Sequence, residues 1–191
     1  MKQVAVIGCA LYLVVIVAGC GGGQQGGGPD AEPPLAEPTP TVKAVARLEA
    51  KSDSSLTGSA TFVADGGRVT LTLEVQSTPA GEHAFHLHEI GDCSAADGTS
   101  AGGHWNPTGE DHGKWDVQPF HLGDVGNLSV SDDGMGSITL TTDLWSIGTG
   151  EANDVVGRSV IVHAAADDFT TQPTGAAGGR IGCGVIELDG D

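Results

Sequence analysis

From residue 41 onward, apolar and polar side chains alternate with a period of two. In a β-strand, successive side chains point to opposite faces, so this alternation predicts half-buried strands. The apolar positions of the first three predicted strands are Val42, Ala44, Ala46 and Leu48, then Ala60, Phe62 and Ala64, then Val69, Leu71, Leu73 and Val75. Gly66 and Gly67 lie between the second and third strands, and they predict a tight hairpin turn.

Five further short strands follow, and no segment has a helical period. These strands are predicted at residues 84–88, 128–130, 137–141, 159–163 and 181–188. About eight short antiparallel strands at this spacing predict an all-β domain, either a sandwich or a barrel with Greek-key connections. Two connections, residues 89–127 and 164–180, are too long to be simple turns, and loops of this length in a compact domain are usually functional.

The N-terminal 40 residues have a different composition from the rest of the chain. One lysine precedes an apolar run over residues 4–18, which is too short for a stop-transfer helix and predicts a signal peptide over residues 1–19. The ending Val17-Ala18-Gly19-Cys20 resembles a bacterial lipobox, which would leave Cys20 as a lipid-modified first residue. Ordinary signal cleavage beside a chance cysteine is the alternative. Residues 20–40 are rich in Gly, Gln, Pro and Glu and are expected to be a flexible linker to a domain over residues 41–191.

The cysteines agree with export. Cys9 would leave with the signal peptide and Cys20 would carry lipid, so Cys93 and Cys183 remain as a single pair. In an oxidising compartment a disulfide is the expected state of such a pair, and two free thiols are the alternative. The expected location is the cell envelope or periplasm, with a lipid anchor in a membrane.

The net charge is −17 at pH 7. Such a charge argues against binding to nucleic acid and against attraction to anionic lipid, so the only membrane contact expected is the lipid anchor at Cys20. The sequence does not distinguish a monomer from a homodimer.

Six of the seven histidines lie between residues 81 and 127, in a segment rich in Gly and Asp. A segment with so little apolar material is normally ordered by something other than a core, and a metal ion is the obvious candidate. His86 and His88 are two residues apart in a predicted strand, so their side chains share one face. His104, His112, His121 and Asp124 follow in loop sequence, which is enough for two adjacent metal ions.

Five blocks in the order FHLHEIGDC, SAGGHWNP, FHLGDVGN, VIVHAAADD and GGRIGCGVIEL resemble copper–zinc superoxide dismutases of the bacterial exported type. The resemblance covers residues 41–188. It implies copper ligands His86, His88, His104 and His163, and zinc ligands His104, His112, His121 and Asp124, with His104 bridging both ions. Four imidazoles suit Cu(II), while three imidazoles and a carboxylate suit tetrahedral zinc.

The resemblance also implies roles for two further residues. Asp167 would accept the free ring N–H groups of His86 and His112, and Arg180 would line the copper channel and bind the substrate anion. His83 matches no ligand position and is expected to be an ordinary satisfied histidine. Three tryptophans, Trp105, Trp115 and Trp145, are expected to serve packing.

The implied reaction is the disproportionation of superoxide to dioxygen and hydrogen peroxide. Copper would cycle between Cu(II) and Cu(I), zinc would be structural, and His104 would supply a proton to the reduced substrate. Two alternatives stay open: a related lipoprotein that carries copper without turnover, and a sandwich stabilised by zinc alone. The second leaves His86, His88 and His163 without a role.

Overall fold

The computed structural model of the protein describes residues 41–190. The predicted signal peptide, the linker and Cys20 lie outside these residues. The described part contains eight strands, in chain order β1 (Val42–Ala50), β2 (Thr57–Asp65), β3 (Arg68–Gln76), β4 (Gly81–His88), β5 (Gly126–Val130), β6 (Gly136–Thr142), β7 (Ser159–His163) and β8 (Arg180–Leu188). A single 3-10 turn, Thr99–Ala101, is the only helix in this part of the chain, and no helix there is long and apolar enough to cross a membrane.

The strands pair antiparallel and close into a barrel in the order β1-β2-β3-β6-β5-β4-β7-β8. The all-β prediction is therefore confirmed, and the choice between sandwich and barrel is settled in favour of a Greek-key barrel. The step from β3 to β4 crosses the barrel because β3 pairs with β6, whereas β4 lies between β5 and β7. Between β5 and β6 the paired register is limited to Val130 and Gly136.

The period-two pattern places the predicted apolar positions inside the barrel. Phe62, Leu71 and Leu73 are fully buried, and they pack with the apolar residues of β1, β4 and β7 in one core. Gly66 and Gly67 both have positive φ, 56° and 79°, and they turn β2 into β3 with Asp65 opposite Arg68. Two glycines suit this turn because its two central residues need left-handed backbone.

The structure contains a third long connection that the sequence analysis did not single out. Residues 143–158 join β6 to β7, and they bury Trp145, Ile147 and Val155 against the core. Asp154 organises the segment, since its carboxylate accepts hydrogen bonds from the main chain of Gly148, Gly150 and Val156. The loop therefore extends the barrel core. The other two long loops run over residues 89–125 and 164–179 and lie outside the barrel.

Candidate metal centre

Strands β4 and β7 carry three histidines on the outer face of the barrel. Phe85 and Leu87 of β4 and Val160 and Val162 of β7 point into the core. His86, His88 and His163 alternate with them and therefore point outward. All three are nonetheless buried, because the long loops cover this face. Pairing of Phe85 with Val162 in the β4–β7 register brings His163 beside His86.

The loop between β4 and β5 returns alongside β4 and supplies the remaining side chains. The main-chain N–H of Trp105 donates to Leu87 O at 2.8 Å, and Leu87 N–H donates to Gly123 O at 2.9 Å. His104 also forms an isolated bridge with His88. These main-chain bonds hold His104 and the neighbours of Gly123 next to the histidines of β4.

Two groups of potential metal ligands result. The four-histidine group consists of His86, His88, His104 and His163, and the mixed group consists of His104, His112, His121 and Asp124. All seven residues are buried, and within each group one ligand atom per residue lies within 4.8 Å of the others. His104 belongs to both groups.

Every member of the four-histidine group has one buried ring nitrogen without a hydrogen-bond partner. These atoms are His86 Nδ1, His88 Nε2, His104 Nε2 and His163 Nε2. Buried polar atoms are almost always hydrogen-bonded in proteins, so four such unpartnered nitrogens close together indicate a site that fits a metal ion. Their donor set suits copper.

The second nitrogen of three of these rings is committed to an acceptor, which determines the tautomer. His86 Nε2 donates to Asp167 Oδ2 at 2.9 Å, His88 Nδ1 donates to Gly102 O at 3.0 Å, and His163 Nδ1 lies 3.3 Å from Gly178 O. A carboxylate or carbonyl can only accept, so the proton lies on these nitrogens. The opposite nitrogens are left with free lone pairs for a metal.

In the mixed group, three imidazoles converge on one carboxylate oxygen. Asp124 Oδ1 lies 2.8 Å from His104 Nδ1 and 3.0 Å from both His112 Nδ1 and His121 Nδ1. The contact with His112 does not have hydrogen-bond geometry, and His112 Nδ1 is a buried orphan. Three imidazoles and one carboxylate, arranged around one point, suit tetrahedral zinc. The other oxygen of Asp124 accepts the main-chain N–H groups of Gly113 and His121.

Asp167 connects the two groups. Its Oδ2 accepts the His86 ring N–H at 2.9 Å and its Oδ1 accepts the His112 ring N–H at 3.0 Å. The main-chain N–H of Phe169 donates to Asp167 Oδ1 at 2.7 Å. The side-chain amide of Asn127 exchanges hydrogen bonds of 2.7 and 3.0 Å with the main chain of Asp167. Asp167 is fully enclosed at the place that the sequence analysis expected.

Burial lowers the pKa of three imidazoles in the four-histidine group, those of His88, His104 and His163. Loss of water disfavours the charged ring, and neighbouring imidazoles add to the effect, so the pKa of His104 falls to about 4 and that of His163 to about 3. Burial acts first in lowering the pKa of His88 as well. These three rings are therefore neutral at physiological pH, which is the form that binds a metal.

The carboxylates behave in the opposite way. Burial by itself would raise the pKa of Asp124 and Asp167, but hydrogen bonds from the imidazoles outweigh it and hold each pKa well below its usual range. For His112, burial is likewise outweighed by Asp124 and Asp167, and the pKa of His112 rises to about 9. The centre therefore contains two ionised carboxylates, of which Asp124 belongs to a ligand group and Asp167 bonds to the imidazoles.

Arg180 begins β8 beside this centre. Its Nη1 donates to Gly98 O at 2.7 Å and its Nη2 donates to Gly102 O at 2.6 Å. The Gly102 carbonyl also accepts the ring N–H of His88, so one main-chain oxygen links the arginine to a member of the four-histidine group. The register places Arg180 opposite His163, across a bulge between Val162 and His163.

Cys93 and Cys183 form a disulfide. The bond ties the loop that contains Gly98 and Gly102 to β8, the strand that carries Arg180. Cys183 is fully buried and packs with Ala101 and Ile161 under this loop. The donor, Arg180, lies on β8, and its acceptors, the Gly98 and Gly102 carbonyls, lie in a loop that the disulfide joins to β8.

Gln172 is a contributor that the sequence analysis missed. Its amide accepts the main-chain N–H of His112 at 2.9 Å and donates to the His112 carbonyl at 2.8 Å, which clasps the second long loop to the first. Gly175 is another, because a Cβ there would lie 1.8 Å from Asp167 Oδ1 and 2.7 Å from His112 Nε2. No spacing rule identifies either residue, since both act through contacts with distant parts of the chain.

The residues expected to have no metal role are also placed. His83 is buried, with its ring nitrogens 2.8 Å from the carbonyl oxygens of His163 and Pro79, and it belongs to neither ligand group. Trp105 and Trp145 are buried in the barrel core and Trp115 packs against it, as the packing role predicts.

Comparison with known proteins agrees with this geometry. Residues 56–186 match the protein-family model described as copper/zinc superoxide dismutase (SODC). The crystal structure of the clock protein EA4 is similar to this chain with 35% identity and a TM-score of 0.67, over 76% of this chain and 94% of that one. The chain therefore belongs to the copper/zinc superoxide dismutase family of enzymes, whose cofactors are copper and zinc.

Proposed function

We propose that the protein disproportionates superoxide at copper held by the four-histidine group, beside a structural zinc ion held by the mixed group. The observation that carries this proposal is the pair of buried ligand groups that share His104. Copper, when bound, supplies one-electron redox chemistry, by which one superoxide is oxidised to dioxygen and a second is reduced to hydrogen peroxide.

His104 is proposed to bridge the two ions and to deliver a proton. Its Nδ1 faces the mixed group through Asp124, and its Nε2 is the unpartnered atom in the four-histidine group. Nε2 would be the atom that carries the proton and delivers it to the reduced, more basic substrate. Water supplies the second proton that hydrogen peroxide requires.

Arg180 is proposed to bind and orient the superoxide anion. Two of its N–H groups are used by Gly98 and Gly102, and this leaves the planar guanidinium fixed with other N–H groups free to donate. An anion bound there is held beside His88 and His163. Zinc and the Asp167 hydrogen bonds would hold the rings in position.

The test combines metal content with superoxide dismutation on the exported domain. The parent should bind one copper and one zinc ion per chain and should lose activity when stripped of metal. His104→Ala removes a ligand that both groups share, so it should lose one of the two metal ions or the dismutase activity. His83→Gln, at a buried histidine outside both groups, should keep both metals. A protein that binds copper and zinc stoichiometrically but shows no turnover would identify a copper carrier instead.

Export and lipid anchoring are proposed from the N-terminal sequence. A disulfide in the domain supports an oxidising compartment. Mass spectrometry of the mature N-terminus should find a lipid-modified Cys20, and Cys20→Ala should release the domain from the membrane fraction. An unmodified N-terminus in the membrane-free fraction of the parent would overturn this part of the proposal.

A further inference from the structure

Lys51 is a buried lysine next to the disulfide. It follows β1 directly, and its residue exposure is 8%. The ammonium donates to the Cys93 carbonyl oxygen at 2.6 Å, while the carboxylate of Glu49 is 4.0 Å away and belongs to a side chain that is 77% exposed. The Cys93 carbonyl is therefore the close partner of this charge.

Packing alone does not account for a lysine at this position. Withdrawing an ammonium group from water is costly, and a single carbonyl replaces only part of its hydration. A methionine of similar length would fill the same space with no charge to desolvate. What the lysine adds is one charge-assisted hydrogen bond to the loop that carries Cys93.

That loop behaves as a single unit. Ser100 Oγ accepts the Ala95 N–H and donates to Asp92 O, and the Gly98 N–H donates to Ala95 O at 3.0 Å. Residues 92–102 are thus connected internally, from the Lys51 contact at Cys93 to the acceptors at Gly98 and Gly102. Through these bonds, a displacement at Cys93 would be transmitted towards the two carbonyls that hold Arg180.

Lys51 also reaches the Arg180 region by two other routes. A Cβ on Gly98 would lie 3.3 Å from Arg180 Cβ and 3.6 Å from Lys51 Cγ, so both side-chain stems pack against Gly98. The Lys51 N–H donates to Ile181 O at 3.0 Å, immediately after Arg180. The neighbouring Ser52 N–H donates to Ala96 O, within the loop.

We propose that Lys51 is a positioning residue for Arg180: it fixes the loop whose Gly98 and Gly102 carbonyls hold the guanidinium, and so sets where the substrate anion is bound. Only the effect on binding of the substrate anion rests on the proposed function. The effect on the guanidinium itself is independent of turnover.

The experiment measures how fast phenylglyoxal modifies Arg180, by peptide mapping of the metal-free full chain. Reaction requires access to the guanidinium, and two carbonyl partners restrict it. In Lys51→Met we expect modification to be about three- to tenfold faster. Loss of one hydrogen bond increases by about this factor the fraction of protein in which the Arg180 guanidinium is released from its carbonyl partners. Lys43→Met is the matched control, since Lys43 is an exposed lysine on β1, the strand that Lys51 follows, and is paired with Asp189 at 2.8 Å.

The sign of the change separates positioning from a simple effect of charge. The neutral guanidine attacks the carbonyl carbon of phenylglyoxal. Removal of a nearby cation favours the protonated guanidinium, so a purely electrostatic role makes Lys51→Met react more slowly than the parent. A slower or unchanged rate overturns the proposal. Lys51→Arg, which keeps a cationic donor, should react at a rate closer to the parent's than Lys51→Met does, and it provides the comparison if the methionine variant does not fold.

The metal-loaded protein gives the functional half of the test. Lys51→Met should bind azide, a monovalent anion probe, about three- to tenfold more weakly than the parent at equal copper and zinc content. If Arg180 is modified faster but azide affinity is unchanged, Lys51 positions Arg180 without affecting anion binding, and that part of the proposal is overturned. Absence of dismutase activity in the parent would overturn the proposed function and leave the Arg180 result standing.

Discussion

Among single residues, Asp167 has the widest influence on the metal centre. One carboxylate orients one ring from each ligand group, and both bonds need an acceptor oxygen. Gly175 lies directly against the carboxylate, which also accepts the Phe169 main-chain N–H, and Asn127 holds the main chain of Asp167. The two ion sites are therefore mechanically connected through a residue that binds neither ion.

Asp167→Asn should weaken zinc binding by about 10- to 100-fold while the barrel stays folded. One oxygen becomes an amide N–H₂ that opposes the ring N–H of His86 or His112, so one orienting bond is lost. The measurement is a competition titration with a zinc chelator. Asp168→Asn is the control, because the neighbouring carboxylate is exposed and bonds only to Thr170 and Thr171. Equal zinc affinity in the parent and in Asp167→Asn would contradict this role.

The metal-free protein should be most stable near neutral pH. The pKa values of His104 and His163 are lower in the folded protein, about 4 and 3, than the ordinary 6.5, so the unfolded chain binds more protons as pH falls below 6.5. Folded stability is then lost progressively towards acid, at about 1.4 kcal/mol per unit of pKa difference. His112 acts in the other direction, because its contribution is complete below pH 6.5 and is lost as pH rises through about 9.

Urea denaturation of the metal-free domain at several pH values checks this profile. The free energy of unfolding should fall by a few kcal/mol between pH 7 and pH 4.5. Replacement of His163 by Gln should flatten the acid side. A free energy that is constant across this interval would show that the buried imidazoles do not titrate as described.

At the scale of elements, the centre lies between loops that are tied to the barrel in several places. The disulfide joins the first loop to β8, and Gln172 joins the second loop to His112 in the first. Trp145, in the loop over residues 143–158, donates to Leu122 O at 3.0 Å and packs on Phe62. The loops therefore depend on one another for their positions.

Removal of the disulfide should affect both stability and metal retention. The bond closes a separation of 90 residues, for which the chain-entropy relation gives about 4–5 kcal/mol. The double variant Cys93→Ala/Cys183→Ala should lose a large part of this amount, and it should release zinc faster because the first loop loses its link to β8. Stopped-flow release to a chelator and urea denaturation measure the two effects. Unchanged zinc release would separate the disulfide from the metal centre.

At the scale of the whole molecule, the net charge of −17 opposes an anionic substrate. The second loop contributes little attraction, since residues 169–179 contain no charged side chain. Lys114 lies over the ring of Phe169, 5.8 Å from its centroid, and adds one positive charge to that loop surface. Attraction is left to Arg180, Lys114 and the bound metals, all at short range.

The rate constant kcat/KM should therefore stay nearly flat or rise slightly as salt increases from low to moderate concentration. Salt screens interactions beyond about 8–10 Å at physiological strength, so it weakens the distant repulsion more than the local attraction. Pulse radiolysis over a range of ionic strength measures this dependence. A steep fall would reveal an attractive long-range field around the metal centre.

The sequence by itself determined most of the strand positions and the spacing of the seven ligand-group residues. Strands follow from alternation that is local in the chain, as in β3, where every second residue from Val69 to Val75 is buried. The strand ends extend beyond the prediction, because pairing with a neighbour continues where the alternation stops. Gly126, for example, carries no apolar side chain yet pairs with Phe85.

Only the tertiary structure decided which distant residues meet. Pairing of β4 with β7 places His163 beside His86, and the return of the first loop along β4 places Asp124 between three imidazoles. Lys51, Gln172 and Gly175 acquire their contacts from the same arrangement. Such contacts join residues far apart in the chain, and no local pattern encodes them. The free energy of each contact depends on how the loops close over the barrel.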